Sequence, residues 1–244
     1  MDQTLYENWP IQDKSKNITD DEKWNIFNEI SQNLLDIFRN ISLLLESKEN
    51  DEIKKGLLKL IELSEIVYVF TKPFEKLQIT HFLLKLIDFL ENPILSTTLK
   101  YLNESGDLEI ILYSLKIISF FMHAPPITLT NSKNYKNLLM QNNLLEILLQ
   151  LIEKPPNYDI KLQSFITLGF LLKGSPQIRD MAVMQNALNV IFKHYKNDAS
   201  IEEIITISWV LSILSGVTMN IPIYNCEEKD NLIELFIELL FWKV

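Results

Sequence analysis

The sequence contains MQNNLLEI at residues 140–147 and a near copy, MQNALNVI, at residues 184–191. The two copies begin 44 residues apart, and each continues into apolar residues spaced as on one side of a helix. A period of roughly 20 to 50 residues is typical of stacked helical repeats, in which each unit covers the apolar surface of its neighbour. We therefore interpret both copies as the same junction between two helices.

Three longer apolar helices can be laid over one another around these copies. They are predicted from residue 107 onward (DLEIILYSLKIISFFMH), from 159 onward (DIKLQSFITLGFLLKG) and from 200 onward (SIEEIITISWVLSILSG). The predicted unit is a short helix that ends at Met-Gln-Asn, a second helix, a turn and a longer third helix. Earlier in the chain, helices are predicted from a capping box at 19–22, and at about 51–69, 73–91 and 94–104.

Short motifs mark the predicted helix boundaries. Ser200-x-x-Glu203 has the form of a capping box, in which a hydroxyl and a carboxylate both satisfy N–H groups of the first turn. Residues 174–176 (Gly-Ser-Pro) combine a glycine helix end with a serine cap and a proline at the first helical position. The prolines at 155–156 close the helix before them. We expect Gly169 to mark close packing between helices.

The composition favours helices and argues against several functional classes. Of 244 residues, 47% are hydrophobic but only 5 are glycine, which is few for the many tight turns of a sheet protein. A single cysteine and 3 scattered histidines argue against a disulfide and a zinc site. No two glycines have the spacing of a phosphate-binding loop before a Lys-Ser or Lys-Thr, since Gly169 and Gly174 are followed by Ser-Pro. We therefore expect no cofactor, no metal and no enzymatic activity.

The charge distribution bears on partners and location. The net charge of −9 divides into −6 for residues 1–51, +3 for 52–197 and −6 for 198–244, and only 2 of the 23 bases are arginine. We therefore expect no nucleic-acid partner. The longest uncharged run, 204–226, has an apolar part shorter than the roughly 20 residues of a membrane span, so no membrane insertion is expected. We expect a cytoplasmic protein, with the nucleus, cytoskeleton or cilium as alternatives.

The repeats resemble the armadillo family, and most of all its importin-alpha branch. MQNALNVIFKH and MQNNLLEILLQLI are similar to the xxGALPxLVxLL pattern that begins the second helix there, and SWVLSILSG and FITLGFLLKG are similar to the third-helix pattern ALWALSNIASG. The resemblance implies an all-α, right-handed armadillo-like helical solenoid of about 10–13 helices. We expect an extended arm at 1–18 and a single solenoid at 19–244. Degenerate repeats would occupy 19–104, clearer repeats 105–216 and a terminal helix 228–243.

The importin-alpha resemblance also implies a set of partner-binding residues. In that family a bound peptide lies along a groove, held by a tryptophan and, four residues later, an asparagine from each third helix. The tryptophan positions correspond to Lys116, Ile166 and Trp209, and the asparagine positions to Phe120, Phe170 and Ile213. Only Trp209 matches, so bulky side chains replace most of the groups that hold a peptide there. These six residues are the predicted groove candidates.

The C-terminal segment NLIELFIELLFWKV, at 231–244, gives a second candidate surface. Glu234 and Glu238 mark one narrow polar stripe, and apolar residues cover the rest of the predicted helix. One interpretation is that this helix packs as the second helix of a final, incomplete repeat. The other is that its outer face docks onto another subunit and forms an oligomer. The candidates for that contact are Phe236, Leu240, Phe241 and Trp242.

Two functional hypotheses follow, and both make other proteins the partners. The first is a non-catalytic protein–protein interaction scaffold, a structural or adaptor subunit of a larger assembly such as a protist cilium or cytoskeleton. The alternative is an importin-alpha-like adaptor that binds basic peptide segments of cargo proteins through its acidic C-terminal end and Trp209.

Overall fold

The computed structural model describes residues 20–62, 94–123, 136–194 and 199–214, and all regular secondary structure in these ranges is helical. The chain divides into two compact units, Met1–Ser96 and Thr97–Val244. Each unit is built from amphipathic or wholly apolar helices, as the spacing of apolar residues predicts.

The first unit contains α1 (Asp20–Leu45) and the described part of α2, residues 50–62. The two helices approach closely at Gly56, where an added Cβ would lie 3.0 Å from the Cβ of Leu44. In the described part of this unit, residues at spacings of 3 and 4 on α1 therefore face α2. Among the α1 residues whose burial the structure describes, the buried ones are Phe38, Ile41 and Leu45. The capping residue predicted at 19 and the helix predicted at 73–91 lie outside the described residues.

The second unit contains the clearer repeats. Its helices are α3 (94–104, which includes the boundary between the units), α4 (Leu108–His123), α5 (136–141), α6 (Leu144–Glu153), α7 (Tyr158–Leu172), α8 (Pro176–Met184), α9 (Ala187–Phe192) and α10 (Ile201–Leu214). The series α5-α6-α7 and the series α8-α9-α10 each contain a first, a second and a longer third helix. This order confirms the predicted unit, and α4 is the third helix of the preceding repeat.

The junction between the first and second helices is the same in both repeats. Asn143 and Asn186 immediately precede α6 and α9 and adopt left-handed backbone conformations, with φ of 58° and 62°. Asparagine tolerates this conformation better than most residues. The two asparagines are 43 residues apart, so the match of letters at 44 residues overlays the copies one residue out of structural register. Asn142, the additional residue, donates from its side-chain amide to the Leu138 carbonyl at 2.8 Å, as expected of a turn residue.

The other helix boundaries mostly follow the sequence motifs. Pro176 is the first residue of α8, and Gly174 has φ 72°, which confirms the predicted helix end and start. Ser200 accepts the N–H of Glu203 at 3.2 Å and so begins α10 as predicted. The second predicted contact of that capping box, from the Glu203 carboxylate back to the first turn, is wrong. The Glu203 carboxylate binds the Lys161 ammonium of α7 at 2.6 Å instead, because Lys161 offers a full opposite charge in a nearly water-free contact.

Helix α7 is the centre of the described part of the second unit. It packs against α4 on one side, α10 on the other and α6 behind it. Helix α6 is buried on most of its surface, as its nearly continuous apolar sequence predicts. Each fully buried leucine or isoleucine side chain stabilises such a fold by about 1.5–3 kcal/mol. The buried residues of α6 are Leu144, Leu145, Leu148, Leu149 and Ile152.

Candidate protein-binding face

The third helices α4, α7 and α10 each begin with a side-chain cap, and these caps give them a common register. The Asn157 Oδ1 accepts the N–H of the third residue after it at 2.8 Å, and the Ser200 Oγ does the same at 3.2 Å. The Asp107 Oδ1 accepts the N–H of the second residue after it at 3.0 Å. Because each cap fixes the first turn, residues at equal distances from the three caps occupy equivalent positions.

The six groove candidates lie at two equivalent positions of these helices. The ninth residue after each cap is Lys116, Ile166 or Trp209, and the thirteenth is Phe120, Phe170 or Ile213. Lys116 is exposed and the other five are half-buried, so all six lie on accessible sides of their helices. Residues four apart lie one above the other on a helix. The alignment of third helices deduced from the sequence therefore agrees with the register set by the caps.

Every fourth residue continues this surface toward the helix N-termini, as a row inclined to the helix axis. The first residue after each cap is Leu108, Tyr158 or Ile201, and the fifth is Leu112, Leu162 or Ile205. Ile201 is 72% exposed and Ile205 is 63% exposed, whereas Leu162 is buried. We call the residues at positions one, five, nine and thirteen after the three caps the third-helix face. Eleven of its twelve residues are apolar, and Lys116 is the exception.

Trp209 is held within this face by a glycine on the neighbouring helix. A Cβ added to Gly169 would lie only 2.1 Å from the Cζ3 atom of Trp209, so the indole occupies space that only glycine leaves. The Trp209 and Phe170 rings meet edge to face, with centroids 5.1 Å apart. This contact confirms that Gly169 marks close helix packing. The indole is fixed against α7 and forms a rigid part of the third-helix face.

The polar groups beside the face form hydrogen bonds within the chain. The Gln163 amide donates to the Ser119 hydroxyl at 3.0 Å. Ser208 donates to the carbonyl four residues earlier at 2.6 Å, and Ser212 donates to the Trp209 carbonyl at 2.7 Å. These side chains are therefore already engaged, and the surface around them is largely apolar.

Two polar contacts hold α10 beside α7. The ammonium of Lys161 and the carboxylate of Glu203 are 2.6 Å apart, with the side chains 18% and 5% exposed. One turn nearer the N-termini, the Tyr158 and Ser200 hydroxyl oxygens lie 2.6 Å apart. Because N-terminal residues meet N-terminal residues, the two helices run parallel. Sequence reasoning assigned Glu203 only to a helix cap and missed its contact with α7.

A different polar contact joins α7 to α4. The hydroxyl oxygens of Ser119 and Thr167 lie 2.7 Å apart in a buried position. One of the two hydroxyls donates to the other, and the accepting hydroxyl donates in turn to the carbonyl four residues earlier on its own helix, which lies 2.9 Å from Ser119 and 2.7 Å from Thr167. Buried hydroxyls that satisfy one another in this way fix the relative position of the two helices.

Basic side chains of the first helices hold the far ends of the third helices. Lys136 of α5 donates to the Lys173 carbonyl just after α7, and Arg179 of α8 donates to the Ile213 carbonyl of α10 at 3.3 Å. Lys136 and Arg179 are 43 residues apart and thus equivalent. A cation at a helix C-terminus interacts favourably with the helix dipole. Burial, and secondarily the charge of Lys173, lowers the pKa of Lys136 to about 8.

A row of acidic residues lies along the N-terminal edge of the face. Glu109, Asp159 and Glu202 are exposed, and each is the second residue after its cap. Position two is seven residues, or about two helical turns, before position nine. It is eleven residues, or about three turns, before position thirteen, so it lies on the same side of the helix as both. Acidic side chains there interact favourably with the positive N-terminal end of the helix dipole. They also make this edge of the face negative.

Other predicted features fall outside this region. The C-terminal candidates Phe236, Leu240, Phe241 and Trp242 lie outside the described residues. Among the residues that the structure covers, no cluster of three or more histidine, cysteine or acidic side chains is placed to hold a metal ion. Over the same ranges, no helix has the length and apolar content needed to cross a membrane.

Comparison with known proteins identifies the fold. No protein-family model matches the sequence, and no curated protein matches it at a significant level. Among solved structures, a designed armadillo repeat protein in complex with the peptide (KR)4 is similar with a TM-score of 0.62 and 15% identity, over 88% of this chain and 79% of that one. Computationally designed armadillo repeat proteins for modular peptide recognition are similar with a TM-score of 0.55 and 15% identity, over 89% and 83%.

A third designed armadillo repeat protein is similar with a TM-score of 0.56 and 14% identity, over 92% of this chain and 86% of that one. Identities this low establish the fold alone. Together with the repeated helices of the second unit, they confirm the fold class expected from the sequence. The chain has an all-α, armadillo-like repeat fold.

Proposed function

We propose that this protein is a non-catalytic protein-binding scaffold and that the third-helix face is its binding surface. The observation that carries the proposal is the register of α4, α7 and α10, which joins ten accessible apolar residues into one surface. Soluble proteins rarely expose apolar patches of more than a few hundred Å² unless a partner covers them. Ile201 and Ile205 are 72% and 63% exposed, so their side chains contribute little buried apolar area to the fold.

Rigidity supports the same proposal. The space left by the missing side chain of Gly169 holds the indole of Trp209, and the Lys161–Glu203 ion pair fixes α10 against α7. A surface that is already ordered loses little conformational entropy when a partner binds. A structural or adaptor subunit of a larger assembly, working through such a surface, fits the armadillo-like repeat fold.

The experiment is affinity purification of the full chain from its native cells, with quantitative mass spectrometry of the wild type and two variants. Ile205→Glu places a charge on the third-helix face. Met184→Glu is the matched control, because Met184 is 75% exposed but lies at the end of α8, which is not one of the three third helices. We expect Ile205→Glu to lose a set of proteins that Met184→Glu retains. If all three chains enriched the same proteins, the proposed face would be refuted. If none of them enriched any protein, the proposal of a scaffold would be refuted.

The acidic row favours a second candidate function, an importin-alpha-like adaptor that binds basic segments. Asp159 and Glu202 would attract lysine and arginine, and one structural neighbour binds the peptide (KR)4. This function predicts salt-sensitive binding of a lysine-rich peptide, measured by fluorescence anisotropy, that Trp209→Ala weakens. A peptide that shows no binding at low ionic strength would exclude it.

A further inference from the structure

The third-helix face is poorly suited to an extended peptide. At the thirteenth position after the caps, where the importin-alpha resemblance implies asparagine, the side chains are Phe120, Phe170 and Ile213. The neighbouring hydroxyls of Ser208 and Ser212 already donate to carbonyls of their own helix. The face therefore presents no amide side chain at the position from which a peptide backbone would be held.

The shape of a suitable partner follows from this chemistry. An extended strand carries an N–H and a C=O on every residue, and an apolar surface removes water from those groups without replacing its hydrogen bonds. An α-helix satisfies its own backbone groups and offers only side chains to the surface. An amphipathic helix can thus cover apolar residues without leaving buried polar groups unpaired, and helices in apolar grooves are a common mode of protein recognition.

The charges around the face determine which amphipathic helices it would bind best. Asp159 and Glu202 are exposed at its N-terminal edge, so a partner with basic residues on the corresponding flank is favoured. The C-terminal segment of this chain, 231–244, is apolar but carries two glutamates and one lysine. On this face, those glutamates would add negative charge beside negative charge. Residues 231–244 therefore do not complement this edge, whereas a basic segment of another protein does.

We propose that the third-helix face binds an amphipathic α-helix of a partner protein, with lysine or arginine residues on the flank beside Asp159 and Glu202. The apolar side of that helix packs on Ile166, Ile205 and Trp209. This inference rests on the proposed function, because it specifies the partner of the same face. It differs from the basic-segment alternative in the conformation and the apolar content of the bound chain.

The test uses the full chain as bait for a displayed library of random peptides of about 16 residues, long enough for roughly four helical turns. We expect selected peptides to have apolar residues at spacings of 3 and 4 with basic residues on one flank. Isotope-filtered NMR of the bound peptide reports its conformation. Ile205→Glu should weaken binding by about tenfold or more by desolvating a charge, and Met184→Glu should leave it unchanged. A synthetic 231–244 peptide is included as a competitor.

A charge exchange supplies the second measurement. In Asp159→Lys/Glu202→Lys, the selected peptide should bind several-fold more weakly at low salt, and the same peptide with its flanking lysines replaced by glutamate should recover affinity. Peptides that bind this face as extended chains, or displacement of the selected peptide by 231–244, would overturn the inference but keep the binding face. Peptides insensitive to Ile205→Glu, or no selected peptide, would overturn the proposed function as well.

Discussion

Gly169→Ala is expected to destabilise the second unit, although alanine normally favours a helix by about 1 kcal/mol over glycine. The new Cβ would lie 2.1 Å from Cζ3 of Trp209, whereas ordinary contact begins at 3.4 Å, so the indole edge must retreat by about 1.3 Å. Overpacking of this kind costs about 1–3 kcal/mol. The retreat also disturbs the edge-to-face contact with Phe170, which contributes about 0.5–1.5 kcal/mol. The expected net loss is about 1–3 kcal/mol of unfolding free energy.

Repeating the substitution in a Trp209→Ala background tests whether the indole causes this loss. Without the indole, the added methyl group meets no obstacle from Trp209, and Gly169→Ala should stabilise the chain by up to about 1 kcal/mol. Urea unfolding followed by far-UV circular dichroism measures all four chains. Gly106→Ala is the control, since a Cβ there has nothing within 4 Å. If Gly169→Ala had the same effect in both backgrounds, the space beside Gly169 would not be what holds Trp209 in place.

Three further predictions concern the supporting contacts. Glu203→Ala leaves the ammonium of Lys161, only 18% exposed, without its partner and should cost about 3 kcal/mol in urea unfolding, while the double variant with Lys161→Ala should cost less than the sum. A purely additive result would contradict a coupled pair. Asn143→Ala, at φ 58°, should lose about 1 kcal/mol in thermal unfolding, and Asn143→Gly should lose little. Equal losses would mean that the left-handed conformation is not the cause.

The third concerns Lys136. Because burial lowers its pKa from 10.5 to about 8, the unfolded chain binds more protons between these values. Stability relative to Lys136→Met should therefore rise with pH over this range, with a slope approaching about 1.4 kcal/mol per pH unit, and a pH-independent difference would refute it.

The sequence predicts the helices well because their signals are local. Apolar spacing, the proline at 176 and the cap at Ser200 each act within a few residues, and the structure follows them. The duplicated letters located the correct junction, yet they aligned it one residue out of register. Backbone conformation at Asn143 and Asn186, rather than letter identity, defines the equivalence, and a positive φ leaves no certain mark in a sequence.

The candidate site is harder to predict because it depends on contacts between distant residues. Six of its residues follow from the family resemblance, but Ile201 and Ile205 read as ordinary core positions of an apolar helix. Only the packing of α10 on α7 decides which side of such a helix is covered. The ion pair of Glu203 is hidden for the same reason, since its partner lies 42 residues earlier in the chain. The caps could have revealed the register, because all three are recognisable in the sequence.

The two contacts between third helices are chemically different, and this has a consequence for how the chain avoids misfolding. Proteins made of similar units risk docking a helix onto the wrong neighbour. If α10 packed on α4 in the same register, Glu203 would face Ile111 in place of Lys161, and Trp209 would meet the side chain of Ser119 in place of the space left at Gly169. A buried carboxylate without a partner and an indole without room would both penalise that arrangement. Repeats of similar structure are thereby sorted into one order by their individual contacts.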